Sequence, residues 1–486
     1  MFTSPRLGWP ADRHPPVVTV PAEREINMSL TGKGQAGRKN MPSTGSSSTA
    51  AQSGAAQSTK SRPAQPEAAQ SEAAPRVVVV GGGFGGLSAM KALVRSGARV
   101  TLVDRNAYST FQPLLYQVAT AGLATSDVAY PLRAVTRRKD ARFRRGVLAG
   151  VDLANRTIAL SDGGSVGYDY LILATGVSAA FFGITGAAEN CFSLYTRRDA
   201  IMLRNQLIAD LEWRSLPGQA AGLAVTIVGG GATGIELAGT LADLRNIALP
   251  AAFPDVDPAC LQLRLIEQAP SLITPFEPGL RDYAHRQLQA RGVEVRLGTS
   301  ISAVSARSVR LADGTDLPSD VTVWAAGVSA PELVTGLGLP TGHGGRVITD
   351  PDLRVRGQDR VFAVGDVALI DGQPLAQLAQ PAIQQGRHAA AQVRRLMAGQ
   401  GTVAFRYHDK GTMATIGRRS AVVQLRHLRF RGTIAWLAWL GLHLVTLLGG
   451  RNQISALVNL SWRYLTWKRT GGVLAGDEPA ETGELA

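Results

Sequence analysis

Two glycine triplets, each followed at a distance by an acid, are the residues of this 486-residue chain best suited to chemistry. Gly81-x-Gly83-x-x-Gly86 precedes Asp104, and Gly229-x-Gly231-x-x-Gly234 precedes Glu267. These types at this spacing suit a dinucleotide. The first glycine permits a tight turn, the second lets backbone approach a pyrophosphate, and the third lets a helix pack close to the strand before it. That helix aims its N-terminal amides and positive dipole end at the phosphates. The acid accepts from ribose hydroxyls, and Asp104 stands about 20 residues on, as the arrangement requires. Glu267 comes later after its triplet. The intervening ALPAAFPDVDPAC, Ala248 to Cys260, carries three prolines and is expected to be an inserted loop. Glu267 would accept from a ribose 2′-OH and repel a 2′-phosphate, which favours NAD over NADP.

The elements that must position these residues follow from the apolar pattern. Val77 to Val80 is a β-branched run, as a buried parallel strand requires, and Ala98 to Val103 is the strand that ends at Asp104. Ala224 to Leu244 repeats the design, and Gln262 to Ile266 leads to Glu267. Two strands end in small residues that allow close approach to a ligand: DYLILATG, with Thr175 and Gly176, and VTVWAAGV, with Gly327. VFAVGDVA ends in Gly365-Asp366, where the acid suits either a sugar-alcohol hydroxyl or a helix N-cap. Arg197 to Glu212 is expected to be an amphipathic helix. A further helix is entered near Pro381, with Gln380 and Gln384 one turn apart. Tyr108 to Leu123, broken by Pro113, is expected to be a loop leading to a short helix against something apolar. Two dinucleotide units imply two bound dinucleotides. Nicotinamide carries hydride and flavin can accept it, so a flavoprotein is the economical hypothesis.

The bulk properties narrow the partners. Net charge is +14, and it concentrates between Thr402 and Gly472, where Asp409 is the only acid. Basic residues there alternate with Trp and Leu, the composition of a helix at a membrane interface, and no nucleic-acid motif accompanies them. The uncharged run between Arg431 and Arg451 is near the roughly 20 residues a bilayer span needs. Interfacial insertion into an acidic lipid surface ranks first, one C-terminal span second, and a buried homodimer interface third. Asn452, Asn459, Arg463 and Thr466 form a polar stripe, with Ile454, Leu457, Val458, Leu465 and Trp467 on other faces. Cys191 and Cys260 are far apart and the seven histidines are scattered, so neither a disulfide framework nor a metal site is expected. Residues 1–75 and 473–486 lack apolar periodicity and are expected to be disordered tails.

GGGFGG, FQPLLYQVATAG, DYLILATG, VGGGATGIELAG, VWAAGV, VFAVGD, AQPAIQQG and DKGTMATIGR occur in that order. In these motifs the chain resembles the type II NADH dehydrogenases, single-chain NADH:quinone oxidoreductases that do not pump protons. The resemblance runs from about Arg76 to Gly472. It implies FAD in the first unit, held by Gly81, Gly83, Phe84, Gly86, Asp104, Thr175, Gly176, Gly365 and Asp366. It implies NADH in the second, held by Gly229, Gly231, Gly234, Glu267 and Gly327. Glu236 matches a family glutamate near the nicotinamide, Gln380 and Gln384 a quinone-facing pair, and Lys410 a lysine near the flavin. The implied fold is α/β, two Rossmann-like domains with the NADH unit (196–318) inserted into the FAD unit (76–195 and 319–400). A C-terminal membrane module (401–472) follows. The implied place is the cytoplasmic face of the inner membrane, with a quinone as partner. Sulfide:quinone oxidoreductases, ferredoxin reductases and a membrane-bound NADH sensor are the alternatives. On this reading, removing everything after Gly432 should leave NADH-to-dye electron transfer and release the protein from membranes.

Overall fold

The computed structural model describes residues 74–137, 141–219 and 222–470, with 463–470 described by backbone alone. The expected tails lie outside the described residues except for Ala74 and Pro75. The elements that matter for the site begin with β1 (Arg76–Val80), α1 (Phe84–Leu93), β2 (Arg99–Asp104), α2 (Leu115–Ala119), β3 (Ala141–Arg145), β4 (Tyr170–Leu173), β5 (Cys191–Ser193) and α3 (Arg197–Arg214). Next come β6 (Leu223–Val228), α4 (Ala232–Asp243), β7 (Leu261–Ile266), β8 (Val293–Arg296), β9 (Val321–Trp324), β10 (Val361–Ala363) and α5 (Ala379–Met397). Last are β11 (Thr412–Thr415), β12 (Ala421–Gln424), β13 (Arg429–Arg431), α6 (Thr433–Thr446) and α7 (Gly450–Thr470).

Two five-stranded parallel sheets carry one design twice. The first has the order β10-β4-β1-β2-β3 and the second β5-β9-β6-β7-β8. In each, the strand that feeds the glycine triplet is central. The strand that leads to the acid lies on one side of it, and the strand that ends in small residues lies on the other. β1 is buried from Val77 to Val80, and β4 and β9 are buried throughout. Such unbroken apolar runs suit strands covered on both faces. The first sheet is completed late: Val361 of β10 pairs with Leu171 of β4 only after the second sheet has been laid down.

Two proline-bearing segments differ from simple loops. Leu244 to Ala252 is helical, first as a wide turn and then as the helix Leu249–Ala252, and Leu249 is fully buried. Only the stretch beyond Phe253 is loop-like, so the expected insertion is partly built into the core. Pro250 stands in the first turn of its helix, and Pro381 is the third residue of α5. Pro381 occupies a position whose amide has no partner within the helix, so its ring does not break it, whereas Pro250 directly follows the wide turn Leu244–Ala248, where the regular helical ladder is already interrupted.

β11, β12 and β13 form an antiparallel sheet on which α6 packs. Ala435, Trp436 and Trp439 of α6 are buried in the same cluster as α2 and α4. The C-terminal part is therefore no detachable appendage. Cutting after Gly432 would remove Trp439, which is 1% exposed, and uncover the core it packs against, so a truncation there takes away part of the core as well as the basic, Trp-rich end. α6 has 14 residues, about 21 Å of helix against a hydrocarbon core of about 30 Å. Among the described residues no helix is long and apolar enough to cross a membrane, which removes the single C-terminal span.

The polar stripe of α7 turns inward. Ser455 Oγ donates to Asp127 Oδ1 at 2.7 Å, Asn459 Nδ2 donates to Asp127 Oδ2 at 2.7 Å, and Asn452 Nδ2 donates to the Ala129 carbonyl at 2.8 Å. Ile454, Leu457, Val458 and Trp462 are exposed. The side chains of Arg463, Leu465, Thr466 and Trp467 lie outside the described residues.

Candidate active site

Each cradle is made by a strand, a turn and a helix held together by backbone contact. Gly81 has φ +109° and Gly229 φ +110°, a region that favours glycine. A Cβ on Gly86 would fall 1.8 Å from the Gly81 carbonyl oxygen, and one on Gly234 would fall 1.9 Å from that of Gly229. A Cβ on Gly83 or Gly231 meets nothing within 4 Å. The helix is thus pinned to the turn at the third glycine and open at the second, where an anion approaches. The acids complete the match. Asp104 Oδ2 accepts from Gly82 N at 2.6 Å and its Oδ1 from Asn106 N at 2.6 Å. Glu267 Oε2 accepts from Gly230 N at 2.5 Å and its Oε1 from Ala269 N at 2.7 Å. Burial raises the Asp104 carboxyl above its ordinary range, against the pull of those two amides and of Arg105. Each acid stands at the turn with acceptor capacity left for a ribose hydroxyl. The residues present fit a dinucleotide in both places.

The small-residue strand ends sit beside these turns. A Cβ on Gly81 would strike the Ala174 carbonyl oxygen at 2.1 Å, so the segment before Thr175 touches the first turn. Thr175 Oγ1 is buried without a hydrogen-bond partner, an orphan donor at the cradle, and Gly176 has φ +69°. Gly327, beyond β9, stands under Phe182, into whose ring a Cβ would run. Gly365 has φ +74° and gives its amide to Gln385 Oε1 at 2.6 Å. Asp366 lies beside Tyr195, whose hydroxyl donates to Oδ2 at 3.5 Å. Burial lifts the Asp366 carboxyl to about 6, with Arg346 and Tyr195 opposing.

α1 and α5 lie in backbone contact, since a Cβ on Gly386 would meet the Gly85 carbonyl oxygen at 2.1 Å. Beside them opens a cavity of about 1070 Å³. Phe84, Gln380 and Lys410 line it from the cradle side; Phe111, His443 and Leu442 line it from α6 and the loop before α2. Gln380 Oε1 is buried without a partner. Gln384 does not line the cavity. Its amide donates to the His408 carbonyl at 2.9 Å and accepts from His408 N at 3.0 Å, so it fixes the loop that carries Lys410.

Glu236 stands apart from that cavity, buried on α4. A Cβ on Gly239 would fall 2.4 Å from Ile416, and this tight seat brings the end of β11 against α4. Glu236 Oε1 accepts from Thr415 N at 3.4 Å. Burial pushes its carboxyl up to about 8, while Thr415 and the Trp439 indole favour the charged form. The group therefore holds its proton at neutral pH. Trp439 in turn stacks on His443, centroids 4.1 Å apart, and His443 meets Phe111 edge-on at 6.2 Å. His443 Nδ1 lies 2.7 Å from the Trp439 carbonyl oxygen, which can only accept, so that nitrogen carries the proton. Burial lowers the imidazole to about 4, against the pull of that carbonyl, and keeps the ring neutral.

Comparison with known proteins decides the family. The profile of the pyridine nucleotide-disulphide oxidoreductases matches residues 75–386. The type II NADH:quinone oxidoreductase NdhA of Mycobacterium tuberculosis is 38% identical over 421 residues, spanning 82% of this chain and 89% of that one. The chain belongs to the type II NADH:quinone oxidoreductases. Ndh of the same organism, also a type II NADH:quinone oxidoreductase, is 35% identical over 413 residues, 81% of this chain and 89% of that one. The structure of NDH2 from Plasmodium falciparum in complex with NADH is similar in fold, with a TM-score of 0.76 at 18% identity over 82% of this chain and 99% of that one. The sulfide:quinone oxidoreductase of Aquifex aeolicus shares the fold at a TM-score of 0.66 and 18% identity, over 82% of this chain and 96% of that one. This type II NADH:quinone oxidoreductase has no thiol pair to work with: Cys191 and Cys260 are both free. Burial, helped by Glu189, pushes the Cys191 thiol up to about 12, where no thiolate forms.

Sequence reasoning missed several residues that the fold brings to the site. Gln385, next to the glutamine that was singled out, is the one that reaches the Gly365 amide. Tyr195 reaches Asp366 across the sequence, and no local pattern marks it. His443 was signalled only as a lone histidine in an uncharged helix, one turn after Trp439.

Proposed function

We propose that the chain oxidises NADH at the second cradle and reduces a membrane quinone in the cavity beside α1 and α5, with FAD held in the first cradle between them. Bound FAD would supply the two-electron carrier that accepts hydride from a nicotinamide and gives electrons to a quinone. Gly81, Gly83, Phe84, Gly86, Asp104, Thr175, Gly176, Gly365 and Asp366 hold it, and Gly229, Gly231, Gly234, Glu267 and Gly327 hold NADH. The FAD unit then comprises 76–195 and 319–400, the NADH unit 196–318, and the membrane module 401–472. Lys410 places a cation at the cavity wall, where it stabilises negative charge as it develops. Gln380 offers an unspent amide oxygen, an acceptor for the hydroxyl of the quinol as it forms. Glu236 keeps a proton at neutral pH and is the candidate source for quinol formation. No charged relay across a membrane is required, so no pumping is proposed.

The observation that carries this reading is the cavity itself. Its wall runs from Phe84, next to the first triplet, to Leu442 and Thr446 on α6. The outer faces of α6 and α7 expose Ile434 (73%), Val445 (76%) and Trp462 (63%), with Arg426 and Arg451 also exposed. An apolar face with basic residues around it suits insertion into the headgroup region of an acidic bilayer. The protein is therefore peripheral, on the cytoplasmic face. The test is direct. Purified protein should be yellow, NADH should bleach it, and a soluble quinone should restore the colour. A colourless protein after reconstitution with flavin, or bleaching that quinone does not reverse, overturns the proposal.

A further inference from the structure

The cavity has a second end that quinone reduction does not use. On α1 the residues Phe84, Leu87, Ser88 and Lys91 line it at helical spacing, and on α5 Gln380, Ile383 and Arg387 do the same. Seven residues separate Phe84 from Lys91 and Gln380 from Arg387, about 10 Å of helix in each case. The two helices thus run outward side by side, and each brings a cation to the far end. The contact of Gly386 with the Gly85 carbonyl keeps these stripes together. No carboxylate lines this cavity among its described residues. Arg387 and burial both disfavour the charged form of Lys91, burial more, so the pair is held at a cost that a bound anion would relieve. Next to this end lies another cavity, about 530 Å³, which shares Lys91, Tyr130 and Leu448 with the first and is also lined by Arg95, Val94, Val135 and Gly449. Leu448 and Gly449 form the turn between α6 and α7, so this cavity sits at the edge of the exposed apolar faces.

We propose that Lys91 and Arg387 form a binding site for the phosphate of an anionic phospholipid, seated at the outer end of the quinone cavity with its acyl chains along the α6–α7 turn. The inference rests on the reading that α6 and α7 face a bilayer. The charge argues for an anion, and the mainly apolar lining of the larger cavity, continued by Val94, Val135 and Leu448 in the smaller, argues for one with hydrocarbon attached. The quinone ring, which must reach Gln380 and Lys410, is left the inner end.

The test uses the full-length flavoprotein in neutral detergent, with phosphatidylglycerol retention read by native mass spectrometry. Lys91→Gln/Arg387→Gln should hold phosphatidylglycerol about thirty-fold more weakly, the loss expected for two cations near an anionic headgroup. Arg286→Gln/Arg307→Gln, which removes the same charge from exposed positions outside both cavities, should match the wild type. Inorganic phosphate should not displace the lipid; displacement at equal concentration would make this a free-anion site and overturn the lipid assignment. Sedimentation with phosphatidylcholine–phosphatidylglycerol vesicles separates the two readings. Wild type that fails to sediment sinks the bilayer reading. Wild type that sediments, beside a double variant that retains lipid as well as wild type does, sinks the lipid site alone.

Discussion

Helices α1 and α4 begin identically and end up doing different work. Each follows a glycine triplet, starts at the second glycine without a side-chain cap, and is pinned by its third glycine to the carbonyl of the first. Each has an acid gripping the amide of the middle turn residue. Beyond the first turn they diverge. α1 meets α5 at Gly85 and leaves Phe84, Ser88 and Lys91 facing an open cavity. α4 meets the end of β11 at Gly239 and seals Glu236 under Thr415 and Trp439. The triplet thus specifies the phosphate cradle, while a further glycine at each contact, Gly386 of α5 against α1 and Gly239 of α4 against Ile416, specifies which element docks there. That second choice decides whether the helix presents a surface to a substrate or buries a proton.

The comparison breaks most sharply at the second glycine of each triplet. Gly83 and Gly231 have negative φ and open space beside them, so valine is sterically tolerated at both. What valine fills is the approach of a phosphate. Gly83→Val is expected to weaken flavin retention by about a hundred-fold or more, ~3 kcal/mol, with the fold intact by circular dichroism. Gly231→Val should stay yellow and lose NADH binding by a similar factor. If each variant lost both ligands, the two cradles would not be separate sites.

The comparison breaks next at Glu236, for which α1 has no counterpart. Its folded carboxyl titrates at about 8 against an ordinary value of 4.5. Between those values the folded chain holds a proton that the unfolded chain has released, so stability falls as pH rises through this window. The full loss is roughly 5 kcal/mol, reached above pH 8. Glu236→Gln stays neutral throughout and should remove this slope. Thermal midpoints of the two proteins should diverge in the variant's favour between pH 5 and pH 9. Parallel midpoints would mean that the carboxyl is not sealed. Quinone reduction should fall in the variant while NADH-to-dye transfer persists.

How much of this was legible depends on whether a feature is local. The triplets, the β-branched run from Val77 to Val80 and the small-residue strand ends are local, and the cradles follow from them. Helix faces are less forgiving, because one residue is a rotation of about 100°. Gln380, Gln384 and Gln385 therefore serve three partners: the cavity, the His408 backbone and the Gly365 amide. Spacing alone paired the first two and passed over the third. The uncharged run from Gly432 to Gly450 had the length of a span, but the chain turns at Leu447 to Gly449 and splits it into one helix and a corner. The polar stripe of α7 turns inward because Asp127, more than 300 residues away, accepts from Ser455 and Asn459. Sequence patterning carries no mark of that partner.

A smaller test sharpens the cavity side. Gln384 holds the loop that carries Lys410 through two hydrogen bonds to His408. Gln384→Ala removes both, a loss of about 1–3 kcal/mol in loop order. The Michaelis constant for quinone should rise several-fold, with NADH-to-dye transfer unchanged. Gln384→Glu keeps the acceptor to His408 N and should recover part of the loss. A purely catalytic role for Gln384 would instead lower turnover with the Michaelis constant intact.

The last test lies at the acid of the second cradle. Glu267 makes two backbone bonds, to Gly230 and Ala269, so it holds the turn as well as facing the ribose. Gln keeps an acceptor for one amide and puts an NH₂ against the other, at about 1 kcal/mol of stability. It also removes the negative charge that opposes a 2′-phosphate. Glu267→Gln should therefore raise kcat/KM for NADPH relative to NADH by about ten-fold, ~1.4 kcal/mol, with only a small fall in thermal midpoint. The same change at Asp104→Asn alters no nucleotide preference if the first cradle holds only flavin. An unchanged NADH to NADPH ratio in Glu267→Gln would confine that carboxylate to the turn and leave the discrimination to the rest of the cradle.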